Sequence, residues 1–97
     1  MIATKKKPIG NVFPRRIIST VLRSIIPNGQ PFKLLIADSE IGKLKVVRII
    51  TPAWKNQRPW ERIEKVLAAL DGKLTPAERK QVLRYSVLTP EEYKRIV

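Results

Sequence analysis

The chain has 97 residues, with 20 Lys+Arg against 8 Asp+Glu, a formal net charge of +12, and neither His nor Cys. That length makes about one domain around one core. Without Cys there is no disulfide framework, thiol nucleophile or thiolate metal site, and without His there is no serine- or cysteine-type triad, imidazole base or imidazole-ligated zinc.

Residues 1–14 show no periodicity and read as a flexible basic arm carrying Lys5, Lys6 and Lys7. These lysines could mimic the charged start of a signal peptide, but Pro8, Gly10, Asn11, Pro14, Arg15 and Arg16 interrupt the stretch that would have to be its apolar centre. No apolar run approaches the ~20 residues needed to cross a bilayer. The expectation is therefore a cytoplasmic protein with no membrane partner. At 43% hydrophobic, the chain is too apolar to be disordered.

Residues 15–26 predict a helix. Ile17, Ile18, Val21, Leu22, Ile25 and Ile26 make one apolar stripe, and Arg15, Arg16, Ser19, Thr20, Arg23 and Ser24 fill the other side. Pro14 suits its start, and Pro27-Asn28-Gly29 stops it. Phe32–Ala37 predicts a strand, residues 38–43 a turn with Gly42 at positive φ, and Leu44–Thr51 a second strand. Strands this close in sequence form an antiparallel hairpin. In the second, Val47 and Ile49 share one face while Leu44, Val46, Arg48 and Ile50 share the other. Both faces are therefore partly covered, or one strand is central.

Pro52 ends that strand, and a loop over residues 53–58 leads to Pro59, which opens a second helix. Its expected buried stripe is Trp60, Ile63, Val66, Leu67 and Leu70, and Asp71-Gly72 stops it. Thr75-Pro76-Ala77-Glu78 has a capping-box pattern and predicts a short helix or turn. Val82–Leu88 predicts a third strand with Leu83, Tyr85 and Val87 inward. Thr89-Pro90-Glu91-Glu92 repeats the capping box and starts a last helix, with Tyr93, Ile96 and Val97 toward the core. The order α-β-β-α-β-α predicts an α+β domain over residues 15–97, a three-stranded sheet with helices on one face.

Taken in this order, the residues resemble the BolA family over roughly residues 15–97. The resemblance rests on Thr51-Pro52-Ala53-Trp54, a strand end followed by an aromatic, and on Glu61-Arg62 opening the next helix. It rests also on the closing Leu88-Thr89-Pro90-Glu91-Glu92-Tyr93. It implies a fold akin to the type II KH domain and, for some members, DNA-binding regulation. It also implies an iron–sulfur cluster shared with a monothiol glutaredoxin and held partly by a His. That His falls near Gln81 here. The loop between the first two strands offers only Asp38, Ser39, Glu40, Ile41, Gly42 and Lys43, so no cluster ligand carries over. The family's loop Gly is Asn56, and the His of its Arg-His pair is Ile63. No Gly-x-x-Gly clamp of the KH type is present, since Gly10, Gly29, Gly42 and Gly72 are isolated.

The charge has a place. Residues 1–37 hold seven cations and no acid, whereas residues 61–97 hold eight cations and six acids. An acid-free end points to a polyanion. Arg15, Arg16 and Arg23 offer a row that follows phosphates, with Arg16 and Arg23 two turns apart on nearly one face. A second cluster joins Trp54 and Trp60 with Lys55, Arg58 and Arg62, where an aromatic stacks on bases, cations meet phosphate, and the helix start favours an anion. The structural alternative buries Trp60 in the core and packs Trp54 over the loop. Glu61 and Glu64 share a helix face, but with Arg58, Arg62 and Lys65 beside them they predict ion pairs rather than acid–base or metal chemistry.

The expected function is a non-enzymatic nucleic-acid-binding module, with no cofactor and no small-molecule substrate. It would bind DNA or RNA through Lys5, Lys6, Lys7, Arg15, Arg16, Arg23, Lys55, Arg58, Arg62 and Trp54. The alternative is an adaptor for an acidic protein partner of the glutaredoxin-like kind.

Overall fold

The structure, a computed structural model, describes residues 13–27 and 29–96. Its elements are α1 (Arg15–Ile25), β1 (Lys33–Asp38), β2 (Lys45–Ile50), α2 (Pro59–Leu70), α3 (Pro76–Arg79), β3 (Val82–Leu88) and α4 (Pro90–Ile96). This is the expected α+β order, with the turn at Thr75 realised as α3. Lys5, Lys6, Lys7 and Val97 lie outside the described residues.

The three strands lie in the order β1-β2-β3, with β1 antiparallel and β3 parallel to β2. The hairpin follows from its turn. Leu44 N–H donates to Ile41 O at 3.1 Å, and Gly42 takes φ +52°, where a Cβ would be strained. A parallel partner for β2 needs a long crossover, which α2 and α3 supply.

Both long helices cover the sheet face that carries Val47, Ile49, Leu34 and Val87. Ile18 and Leu22 of α1 meet them there, as do Val66 and Leu70 of α2 and Leu74 beyond it. The opposite face carries Lys33, Leu35 and Ala37 of β1, Val46, Arg48 and Ile50 of β2, and Arg84, Ser86 and Leu88 of β3. Val46 and Ile50 are buried even there. Of the two explanations the sequence allows, a central strand accounts for them, since β2 is flanked on both sides.

Four expectations are corrected. The buried row of α2 is Arg62, Val66 and Leu70, so the helix is rotated toward Arg62. Trp60 and Leu67 stay 54% and 46% exposed as a result. In β3 the register passes from Lys45↔Val82 to Val46↔Arg84, a bulge that uses Leu83 as the extra residue. The bulge shifts the alternation by one, so Val82 packs on the core with Tyr85 and Val87. Ile96 is 57% exposed, because α4 is only 7 residues long and its last turn runs clear of the sheet. Finally, the packed domain begins before residue 15, since Phe13 packs against the core and Pro14 is buried.

The two later capping boxes form as expected. Thr75 N–H donates to Glu78 Oε1 at 2.8 Å, and Glu78 N–H to Thr75 Oγ1 at 3.1 Å. Thr89 N–H donates to Glu92 Oε1 at 2.8 Å, and Glu92 N–H to Thr89 Oγ1 at 3.2 Å. Each satisfies two otherwise open backbone donors.

Candidate nucleic-acid interface

The polar side of α1 lies beside edge strand β1. Helical spacing of four puts Arg15, Ser19 and Arg23 in one row, and they line an open groove together with Gln30 and Lys33. Arg15 Nη2 donates to Leu34 O at 2.9 Å, which fixes the helix start against the strand. No acid lines this groove. Arg16 is exposed on α1 but is not among the groove's lining residues, so of the expected arginines Arg15 and Arg23 line it. Lys33 joins it from the strand. The sequence showed Lys33 as one more cation before an apolar run, and only the helix–strand packing pairs it with α1.

The second cluster divides. Lys55 and Arg58 are exposed on the loop and at the start of α2. Arg62 is 3% exposed and its guanidinium is fully engaged. Its Nε donates to Trp54 O at 3.0 Å and Nη1 to Val87 O at 3.1 Å. Nη1 and Nη2 also reach Glu92 Oε1 at 2.7 Å and Oε2 at 3.4 Å, and Nη2 reaches Lys55 O at 3.4 Å. Arg62 therefore holds the loop, β3 and α4 together and is corrected from a phosphate contact to a structural ion pair. Its acid is Glu92, 30 residues on, rather than the neighbouring Glu61. The Arg62 hydrogen bond, followed by the Thr89 amide, holds the Glu92 carboxyl below the usual carboxylate range.

The two tryptophans exchange roles. Trp54 is 6% exposed and part of the core, with Lys65 Nζ 5.8 Å from its ring centroid. It cannot stack on a base, and that expectation is corrected. The loop folds over it because Thr51 is buried as an anchor. Thr51 Oγ1 donates to Pro31 O at 2.8 Å and accepts from Ala53 N–H at 3.2 Å. Trp60 is the exposed aromatic, set beside Arg58 at the start of α2. The anion expected at this helix start is already supplied from within, since Arg58 N–H donates to Glu61 Oε1 at 2.7 Å. A phosphate would have to displace that carboxylate.

Two further ion pairs lie at the surface. Lys45 bonds Asp38 across the hairpin, and that bond holds the Asp38 carboxyl below its ordinary value. Arg84 Nη1 lies 3.7 Å from Glu40 Oε1. Burial pushes the Tyr85 phenol up. Among the described residues, no group of three or more His, Cys, Asp or Glu side chains gathers to hold a metal, and no helix is long and apolar enough to cross a membrane. Comparison with protein-family models, with curated proteins and with solved structures finds no match.

Proposed function

We propose that this domain is a small, non-enzymatic, BolA-like module of the cytoplasm that binds nucleic acid through phosphate contacts, in a regulatory role on DNA or RNA. The observation that carries this reading is the acid-free groove between α1 and β1, lined by Arg15, Arg23 and Lys33. Lys55 and Arg58 extend the positive surface, and the order of elements accords with the BolA resemblance. The neutralised phosphates set the salt dependence, with a slope of about −0.7 to −0.9 per contact. Filter binding of DNA and RNA across a salt series tests this. Affinity falls linearly on logarithmic axes, and Arg23→Gln with Lys33→Gln lowers the slope by about two contacts' worth. No binding to either polymer at low salt overturns the reading.

One observation favours a second reading, the adaptor. Exposed Leu67 lines an apolar groove of about 730 Å³ between α2 and β3, together with Ile63, Leu74 and Leu83. Arg79 and Arg84 stand in its lining against one acid, Asp71, a positive balance that suits an acidic protein partner, glutaredoxin-like or other, to which this chain would supply no metal ligand. Leu67→Lys abolishes capture of such a partner in a pull-down while leaving nucleic-acid binding intact. Capture unaffected by Leu67→Lys sinks this reading.

A further inference from the structure

A second hollow adjoins the cationic groove at the end of the sheet where β2 gives way to the loop and β3 to α4. It is a cleft of about 410 Å³ walled by Phe32, Ile50, Pro52, Pro90 and Tyr93, and lined besides by Pro31, Lys33 and Lys94. Pro31, Phe32 and Lys33 line both this cleft and the groove of Arg15 and Arg23. No acid lines either hollow. We propose that the two together form a track for single-stranded nucleic acid, in which one unstacked base enters the Phe32–Tyr93 cleft and the flanking phosphates lie on Lys33, Lys94 and the Arg15–Arg23 row.

The chemistry of the two hollows is divided as such a strand requires. Flat apolar walls of proline and aromatic rings accept the π-face of any base, and stacking of this kind tolerates sequence. Cations on both sides of the cleft meet the phosphates before and after the inserted base. A duplex can use the cations but not the cleft, because its bases are stacked and paired inside the helix. The cleft is also built to hold its shape. Thr51 ties Pro31 to the loop that carries Pro52. Glu92 ties α4, and with it Tyr93, to buried Arg62.

This inference rests on the phosphate-binding reading, and the experiment separates the two. Fluorescence anisotropy with the full chain compares a labelled oligo-dT, an oligo-rU and a duplex of equal length over a salt series. Either single strand binds about tenfold tighter than the duplex, and Tyr93→Leu, which keeps an apolar side chain, removes most of that preference. Thermal melting of the variant checks that α4 stays docked. Because Tyr93 is half-buried, photocrosslinking of an oligonucleotide bearing 5-iodouracil to the unmodified protein supplies an independent readout, with adducts expected at Phe32 or Tyr93. Equal binding of duplex and single strand, or adducts confined to Trp60, overturns the track while leaving phosphate binding standing. No binding of any polymer at low salt overturns both.

Discussion

Two basic regions of this molecule look alike in sequence and behave differently in the fold. The α1 row of Arg15 and Arg23 meets Lys33 and no acid, so its positive charge stays outward. The region from Lys55 to Arg62 is answered in part by carboxylates from within the domain, while the Lys55 and Arg58 side chains stay exposed. Glu61 takes the amide at the helix start, and Glu92 takes the Arg62 guanidinium. The difference teaches that density of cations along a chain does not measure the charge offered to a partner. What decides it is whether an acid returns to the same place in space, and in Arg62 that acid comes from 30 residues away.

Substitutions can break or sharpen this contrast. The largest effect is expected at Arg62. Arg62→Ala leaves the carbonyls of Trp54 and Val87 without their donor and Glu92 without its counterion, at a cost of about 3–5 kcal/mol. That is a large share of the ~5–15 kcal/mol that holds a domain together, and urea melts should show a much lower midpoint. Arg15→Ala, at the exposed helix start, should cost far less.

A pH effect comes next. The Glu92 carboxyl titrates lower in the folded chain than the usual value of 4.5. A depressed folded value means stability that is present above the unfolded value and lost as pH falls through the folded one. Stability should thus decline below about pH 4.5 as Glu92 protonates, and Glu92→Gln should flatten that part of the curve while lowering stability at neutral pH. Asp38 is shifted the same way, so Asp38→Asn compared with the double variant isolates the Glu92 share. A pH–stability profile unchanged by Glu92→Gln would contradict the assignment.

Third, Arg23→Glu should lower nucleic-acid affinity and its salt slope with little change in melting temperature, because the groove is open and acid-free. Arg58→Glu should lower them less. The smallest effect is expected at Trp60. Trp60→Ala should stay within about 0.5 kcal/mol of the parent in stability, whereas Trp54→Ala, in the core, should cost about 3–5 kcal/mol. Equal costs at the two positions would reverse the exchange of roles between the tryptophans.

Much of the fold is legible from local signals. The α1 stripe, the Gly42 turn and the Thr75 and Thr89 capping boxes are each written within a few residues, and each forms. The differences arise where tertiary packing decides. An arginine at the centre of a buried helix face defeats apolar periodicity, which puts Trp60 of α2 inside and Arg62 outside. The bulge at Leu83 leaves no mark in an alternating apolar run. The candidate site is legible in sign and region. Its composition is not, because Lys33 comes to the α1 groove, and Tyr93 and Lys94 to the adjoining cleft, only when β1 and α4 reach the same end of the sheet.

The hydrogen bonds of Arg15 and Arg62 have a shared consequence. Ser39 N–H donates to Leu44 O at 3.0 Å, so by alternation the odd residues of β1 bond β2 while Leu34 turns its carbonyl outward. Thr51 N–H takes Leu88 O at 2.9 Å, which turns Val87 outward on β3. These are the two rims of the sheet, and one outward carbonyl on each, Leu34 O and Val87 O, is occupied by a guanidinium from a helix. A strand from another copy would meet a side chain already bonded where its own amide must go. Three-stranded sheets with open rims are templates for stacking into aggregates. Here one arginine on each rim, Arg15 on β1 and Arg62 on β3, takes a carbonyl that an added strand would need.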